Sequence, residues 1–234
     1  MLRKWDALPA FMKCDEVREY YQMLEKKKLS LALKRAFDVA AAALLLFLLA
    51  VPMAVIAVMI KLDSPGPVFY RQKRVTAYGR KFKIHKFRTM AAHADKAGTA
   101  VTLAKDSRIT KAGARLRNKR LDEIPQLFDV LKGDMSFVGT RPEVPEYVKK
   151  YTKEMRATLL LPAGITSEAS IRYKDEAGLL GEAEEADRIY VEKVLPGKMR
   201  YNLESIRKFS LLEEAATILR TMLAVAGKKE EENR

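Results

Sequence analysis

The chain has 234 residues, 48% of them hydrophobic, and a formal net charge of +14. That length allows one domain of ordinary size with an appendage. A single cysteine, Cys14, excludes an internal disulfide and a Cys-x-x-Cys zinc site, and two histidines, His85 and His93, leave a Ser-His-Asp triad or a histidine-rich metal centre short of parts.

The charge is concentrated. Between positions 61 and 121, 17 Lys or Arg face three acids, Asp63, Asp95 and Asp106, so this stretch carries the whole +14 and the remainder balances. A block of this kind calls for an anionic partner: nucleic acid, anionic lipid headgroups or a phosphorylated substrate. A solvated basic face is the plain alternative. Any metal is expected on oxygen ligands, as Mg²⁺ prefers.

In chain order, positions 1–30 are mixed and charged, but Phe11, Val17, Tyr20, Tyr21 and Leu24 recur at helical spacing. This predicts an amphipathic helix on a membrane surface or on a partner. Positions 39–60, VAAAALLLFLLAVPMAVIAVMI, form 22 residues without a charge. A helix needs about 20 apolar residues to cross a bilayer core. The run is too long for a signal peptide, and no small-residue cleavage site follows before Lys61. Its apolar character on all sides makes a buried core helix the lesser reading. Pro52 interrupts it and bends a helix. Basic residues flank both ends: Lys34 and Arg35 before, Lys61, Arg71, Lys73 and Arg74 after. With both flanks cytoplasmic, the run enters the membrane, turns near Pro52 and leaves on the same face. A proline-kinked full span is the competing geometry. Irregular backbone at such a turn needs internal hydrogen-bond partners.

Ser64-Pro65-Gly66-Pro67 reads as a turn. Positions 68–73 and 81–86 read as short strands, with Tyr78-Gly79 suited to a hairpin between them. Positions 91–104 read as a loop and 109–120 as a basic helix. Pro125 suits the first turn of a helix that begins near Asp122, runs to about Leu131 and ends at Gly133. Another helix is expected over 144–160, broken by Pro162-Ala163-Gly164. Two more are expected over 182–194 and 209–226. The last has an apolar stripe, Leu211, Leu212, Ala215, Ile218, Leu219 and Met222, which either packs in a core or lies flat on a membrane. The charged end, 228–234, reads as a disordered tail.

The chemistry concentrates at Leu121-Asp122-Glu123-Ile124-Pro125-Gln126-Leu127. Two adjacent acids at a helix start sit at the positive end of the helix dipole, which favours charged carboxylates. Such carboxylates can attack phosphorus or bind Mg²⁺. Acids at helix N-termini are also common caps, and the pair alone does not decide between these roles.

The pair belongs to a longer series: Lys34-Arg35-x-x-Asp38, the apolar run, Lys86-Phe87-Arg88-Thr89-Met90, the acidic pair, then Leu131-Lys132-Gly133-Asp134-Met135-Ser136-Phe137-Val138-Gly139-Thr140-Arg141-Pro142. From about Leu33 to Leu223 the chain resembles the bacterial sugar transferases, the monotopic polyprenyl-phosphate phosphoglycosyl transferases. The resemblance implies an α+β, mostly helical fold. It would comprise an N-terminal extension (1–30), a re-entrant membrane helix broken at Pro52 (31–61), a small cytoplasmic catalytic domain with a β-hairpin and membrane-surface helices (62–227), and the tail.

The resemblance also implies an activity. Asp122 is the expected nucleophile on the sugar-linked phosphorus of a UDP-sugar, releasing UMP and forming a phosphosugar–aspartate. Undecaprenyl phosphate then takes the sugar phosphate, a first membrane step of capsule, exopolysaccharide, O-antigen or glycoprotein glycan synthesis. Glu123 is the expected base or metal-positioning partner, and Asp122 and Glu123 are the expected Mg²⁺ ligands. Arg141 is the expected phosphate holder, its planar fork matching phosphate oxygens. Arg117, Lys86 and Arg88 are phosphate-binding candidates for which an ion-pair role is equally expected. The implied setting is the cytoplasmic face of a bacterial inner membrane, with membrane lipid as a partner, no nucleic acid, and a homodimer permitted.

Three departures stand out. Val51 precedes Pro52 where the family often has Ser. Thr140-Arg141-Pro142 replaces Pro-Arg-Pro. Pro162-Ala163-Gly164-Ile165-Thr166-Ser167-Glu168-Ala169-Ser170 lacks the family's Arg and Gly-Leu-Ala-Gln stretch, which puts donor specificity in question. A non-enzymatic membrane adaptor binding anionic lipid or nucleic acid is the alternative. It lacks any recognisable nucleic-acid module, and the basic block is poor in aromatic platforms.

Overall fold

A computed structural model describes residues 2–91, 106–174, 176–179 and 183–231. The expected loop over 91–104 falls almost wholly outside them. Two 3₁₀ turns, Trp5–Ala7 and Ala10–Met12, lead into α1 (Asp15–Glu25). Val17, Tyr20, Tyr21 and Leu24 are buried on one face of α1, as their spacing predicts. That face is covered by the chain itself rather than by a membrane or partner: it shares a core with Leu159 and Leu160 and with Met199, Leu203 and Ile206.

The apolar run folds as two helices, α2 (Lys28–Leu48) and α3 (Ala50–Asp63), bent by 61°. The break is at Leu49, not at Pro52. Pro52 lies in the first turn of α3 and has no N–H to donate to the carbonyl of Leu48, the last residue of α2, so the α2 ladder cannot continue through it. Among the described residues no single helix is long and apolar enough to cross a membrane; the bent pair together reaches that length and hydropathy. Phe47, Leu48, Val51, Val55, Val58 and Leu62 are exposed along it.

The pair is fastened to the rest of the chain by the polar residues before it. Lys34 pairs with Glu214. Arg35 donates to the Val130 and Leu131 carbonyls at 2.7 and 3.0 Å. Asp38, buried, accepts from Ser136 Oγ at 2.7 Å and from the Phe137 N–H at 3.3 Å. These residues dock α2 on three different elements as well as supplying flanking charge.

β1 (Phe69–Val75) and β2 (Lys81–Phe87) form the expected antiparallel hairpin, with Phe69 opposite Phe87 and Val75 opposite Lys81. Tyr78 and Gly79 both take positive φ at its tip. α4 (Lys111–Asn118) is the basic helix, capped by Thr110 Oγ1, which accepts from the Gly113 N–H. A 3₁₀ turn, Leu121–Glu123, precedes α5 (Gln126–Lys132), which ends at Gly133 in the left-handed region.

Two short strands, β3 (Met135–Val138) and β4 (Ala163–Thr166), pair in parallel and were not expected. Gly139 and Gly164 let their backbones meet: a Cβ on Gly164 would lie 2.2 Å from Gly139 N and O. Between them the expected 144–160 helix is broken into α6 (Pro145–Val148) and a 3₁₀ segment, Glu154–Leu160. The chain leaves helical form where Tyr151 turns into the core and Thr152 Oγ1 accepts from the Met155 N–H.

α7 (Glu168–Arg172) and a 3₁₀ turn, Glu176–Leu179, precede α8 (Ala183–Ile189). α8 continues through one π turn, Tyr190–Val194, into α9 (Leu195–Arg207). The helix expected over 182–194 therefore runs on well past Val194. Pro196 is in the first turn of α9, and Gly197 admits Tyr173, whose hydroxyl would lie 2.0 Å from an added Cβ.

α10 (Leu211–Glu231) closes the chain, helical past position 228 where a disordered tail was expected. Its packing inverts the usual pattern. Thr217 is buried, Thr221 Oγ1 meets Thr166 Oγ1 at 2.8 Å, and Glu214 holds Lys34, whereas Leu212, Leu219, Met222 and Leu223 are exposed. The apolar stripe therefore does not pack in the core of the chain.

Candidate active site

Three elements bring charged groups together. β2 supplies Lys86 near its end, the Leu121–Glu123 turn supplies the acidic pair, and the segment after β3 supplies Arg141. Phe87 on β2 is buried in the cluster that holds Met53, Ile56 and Ile60 of α3 and Leu116 of α4, with Leu121 and Ile124 packed on it. The acidic turn is thus wedged where the bent helix pair meets the hairpin. Arg120, just before it, is forced to φ +53°, a left-handed conformation costly for a non-glycine residue.

Glu123 is the hub. Lys86 Nζ donates to Glu123 Oε1 at 2.8 Å, and Arg141 donates through Nη2 to Oε1 at 2.5 Å and through Nη1 to Oε2 at 3.4 Å. Asp122 is also buried, yet no hydrogen bond or ion pair joins its carboxylate to another described residue. The two acids are driven in opposite directions. Burial pushes the Asp122 carboxyl above its ordinary range, against the pull of Lys86, Arg117 and Arg141. Burial raises Glu123 too, but Arg141 and Lys86 outweigh it and hold Glu123 well below the usual carboxylate range. Burial lowers Lys86, against the pull of Glu123. Adjacent groups pushed apart in this way take different chemical roles.

The acids do not open the first turn of an α-helix, as the spacing predicted. They occupy a separate 3₁₀ turn, and α5 begins after Pro125. Their environment comes from buried cations rather than from a helix dipole alone.

The other expected residues divide. Arg117 flanks the site, donating to Thr89 Oγ1 at 3.5 Å and acting on Asp122 through its charge. Arg88 points elsewhere: its guanidinium caps the end of α3, donating to the Pro65 and Ser64 carbonyls at 2.6 Å each and to the Ile60 carbonyl at 3.3 Å. Pro52 stands in α3 and takes no part in these ion pairs. Two buried groups near the acids were not foreseen. Gln126 is 1% exposed, with both amide atoms unpartnered. Asp129 accepts from the His85 backbone N–H at 2.8 Å and meets His85 Nδ1 at 2.6 Å. Gln126 was visible only as part of the motif, since burial is not readable from one polar letter.

Among the described residues no group of three or more His, Cys, Asp or Glu gathers as a ready-made metal site. Mg²⁺ asks for less when it binds with a substrate: one or two carboxylates, with phosphates and waters completing the shell. Asp122, uncommitted, fits that demand. Glu123 fits it less well, because Lys86 and Arg141 already engage its oxygens.

Residues 29–228 match the bacterial sugar transferase family. The chain belongs to that family. A UDP-N-acetylgalactosamine-undecaprenyl-phosphate N-acetylgalactosaminephosphotransferase of Aeromonas hydrophila is 33% identical over 82% of this sugar transferase chain and 43% of its own length. A UDP-glucose:undecaprenyl-phosphate glucose-1-phosphate transferase of Xanthomonas campestris is 38% identical over 76% of the chain and 35% of its own length. One of the same name from Caulobacter vibrioides is 36% identical over 81% of the chain and 68% of its own length. The chain thus spans well under half of the first two relatives and about two thirds of the third.

Proposed function

We propose that this chain is a phosphoglycosyl transferase that moves a sugar 1-phosphate from a UDP-sugar to undecaprenyl phosphate, with Asp122 as nucleophile. The observation that carries the reading is the uncommitted, buried Asp122 carboxylate beside a Glu123 that is held ionised by Lys86 and Arg141. The names of the relatives, which couple a UDP-sugar to undecaprenyl phosphate, support it.

In this reading an Asp122 oxygen attacks the phosphorus that bears the sugar. The bond from that phosphorus to UMP breaks and its electron pair leaves with UMP. A phosphate oxygen of undecaprenyl phosphate then attacks the same phosphorus, the bond to Asp122 breaks and the carboxylate returns. A carboxylate poorly stabilised in its charged form is the better nucleophile, which suits the upward displacement of Asp122. Glu123 holds Arg141 and Lys86 in reach, so that both cations are already in place for a diphosphate and need no reorganisation. Mg²⁺, held by Asp122 with help from Glu123, would neutralise the diphosphate. Arg88 serves the end of α3 in this scheme, and Arg117 remains available near Asp122.

The reaction belongs at a membrane. The bent pair α2–α3 is read as re-entrant, entering and leaving on the cytoplasmic face of a bacterial inner membrane. The exposed apolar stripe of α10 is read as lying on that surface. The test is UMP release from a panel of UDP-sugars with undecaprenyl phosphate. Asp122→Asn should abolish it; a variant that turns over like the wild type removes Asp122 from the role.

A further inference from the structure

Arg141 is followed by a segment anchored through both main chain and side chain. Arg74 Nη1 donates to the Pro142 carbonyl at 3.2 Å, and the Val75 N–H donates to the Glu143 carbonyl at 3.0 Å. The Glu143 carboxylate is buried and accepts from Tyr190 Oη at 2.6 Å. Lys198 Nζ donates to Tyr190 Oη at 3.0 Å and lies 3.6 Å from the same Glu143 oxygen. Tyr190 and Lys198 are 2% and 3% exposed. Tyr190 is fixed from its other side by the Tyr147 ring, stacked at 4.7 Å between centroids.

These partners come from far along the chain. Tyr190 opens the π turn between α8 and α9, and Lys198 lies on α9, so a single-turn irregularity sets the aim of the tyrosine. A buried ion pair gives no more stability than well-packed apolar groups of the same size. Its presence two residues from Arg141 therefore asks for a geometric reason. The Glu143 carboxylate is already engaged by Tyr190 and Lys198.

We propose that Glu143, Tyr190 and Lys198 are positioning residues that fix the backbone of Arg141, so that its guanidinium reaches Glu123 and the donor diphosphate. The inference rests on the reading of Arg141 as a phosphate holder. It adds a requirement from α8–α9 that no motif in the sequence announces.

The test is a double-mutant cycle on UMP release with Tyr190→Phe, Arg141→Lys and the pair, repeated with Glu143→Gln in case the first variant folds poorly. Loss of one hydrogen bond to a buried charge should lower kcat about tenfold in the Arg141 background, with the donor KM moved less. In the Arg141→Lys background the same change should cost less than about twofold, because its route to the reaction is already gone. Equal factors in both backgrounds, or no loss in either, overturn the proposal. Labelling of Arg141 by phenylglyoxal, read by mass spectrometry, gives an answer independent of the reaction. It should quicken in Tyr190→Phe, and an unchanged rate counts against the device even if no UDP-sugar proves to be a substrate. Wild-type protein inert to every UDP-sugar would sink the proposed reaction instead.

Discussion

Asp122 and Glu123 share a turn but respond oppositely to pH. Asp122 has its folded pKa raised by burial, so the folded chain binds that proton more tightly than the unfolded chain does. Its ionised carboxylate opposes folding above the raised value, and the penalty vanishes as pH falls through it. Asp122→Asn should therefore raise the melting temperature at neutral pH by about 2 °C while removing turnover. A lower melting temperature in scanning calorimetry would mean that the cations, not burial, dominate at Asp122. In the active protein, the acid limb of kcat/KM should lie above the ordinary aspartate range. Glu123 is the reverse case. Its depressed pKa gives stability that is present above the ordinary glutamate range and lost only as pH falls through the depressed value. Glu123→Gln should cost about 3 kcal/mol in urea unfolding, because buried Lys86 and its neighbour Arg141 lose their counter-charge. A loss under about 1 kcal/mol would place the pair in the class of exposed ion pairs. The motifs single out Asp122, Glu123, Lys86 and Arg141, and the fold brings the four together. Their division of labour was not legible, because it depends on which carboxylate the two cations reach in three dimensions.

Elements with a local signature were readable: the β1–β2 hairpin from its two short runs around Tyr78-Gly79, α1 from its spacing, α4 as a basic stretch, and the bent pair from its length without charge. The misses arise where tertiary contact overrides local pattern. β3 and β4 are four residues each and exist because two glycines let the backbones approach. α9 begins at a Pro-Gly, with Pro196 in its first turn and Gly197 against Tyr173. α10 has an ordinary amphipathic pattern, but the chain uses its polar face for docking. The glycine contact is testable. Gly164→Ala forces a methyl group against the Gly139 backbone, which cannot move aside as a flexible side chain would. The substitution should cost about 3 kcal/mol by urea unfolding, and it should slow UMP release, because Thr140 and Arg141 follow directly from that contact. Wild-type stability would show that the two strands have room to part.

For the molecule as a whole, what lies at the two ends of the bent pair bears on how it would meet a membrane. α1 comes before α2–α3 and β1 comes after, yet Val17, Tyr20 and Leu24 share one core with Val75. The Arg3 N–H donates to Tyr78 Oη at 3.0 Å, and Arg156 donates to the Phe11 carbonyl at 2.9 Å. A helix pair that crossed a bilayer would leave these partners on opposite sides and expose the apolar face of α1 to water. The basic flanks read from the sequence permitted either geometry; the shared core favours the re-entrant one. Labelling positions must be chosen from burial, since Tyr20 and Val75 are themselves enclosed. Glu19 on α1 and Lys81 on β2 are exposed. In a Cys14→Ser background, Glu19→Cys and Lys81→Cys should both resist a membrane-impermeant maleimide in intact cells, and both should react once the membrane is opened. Labelling of one position alone in intact cells would require a full span. The core that α1 shares with β1 would then have to come apart, at a cost that the exposed apolar surface of Tyr20, Tyr21 and Leu24 makes large.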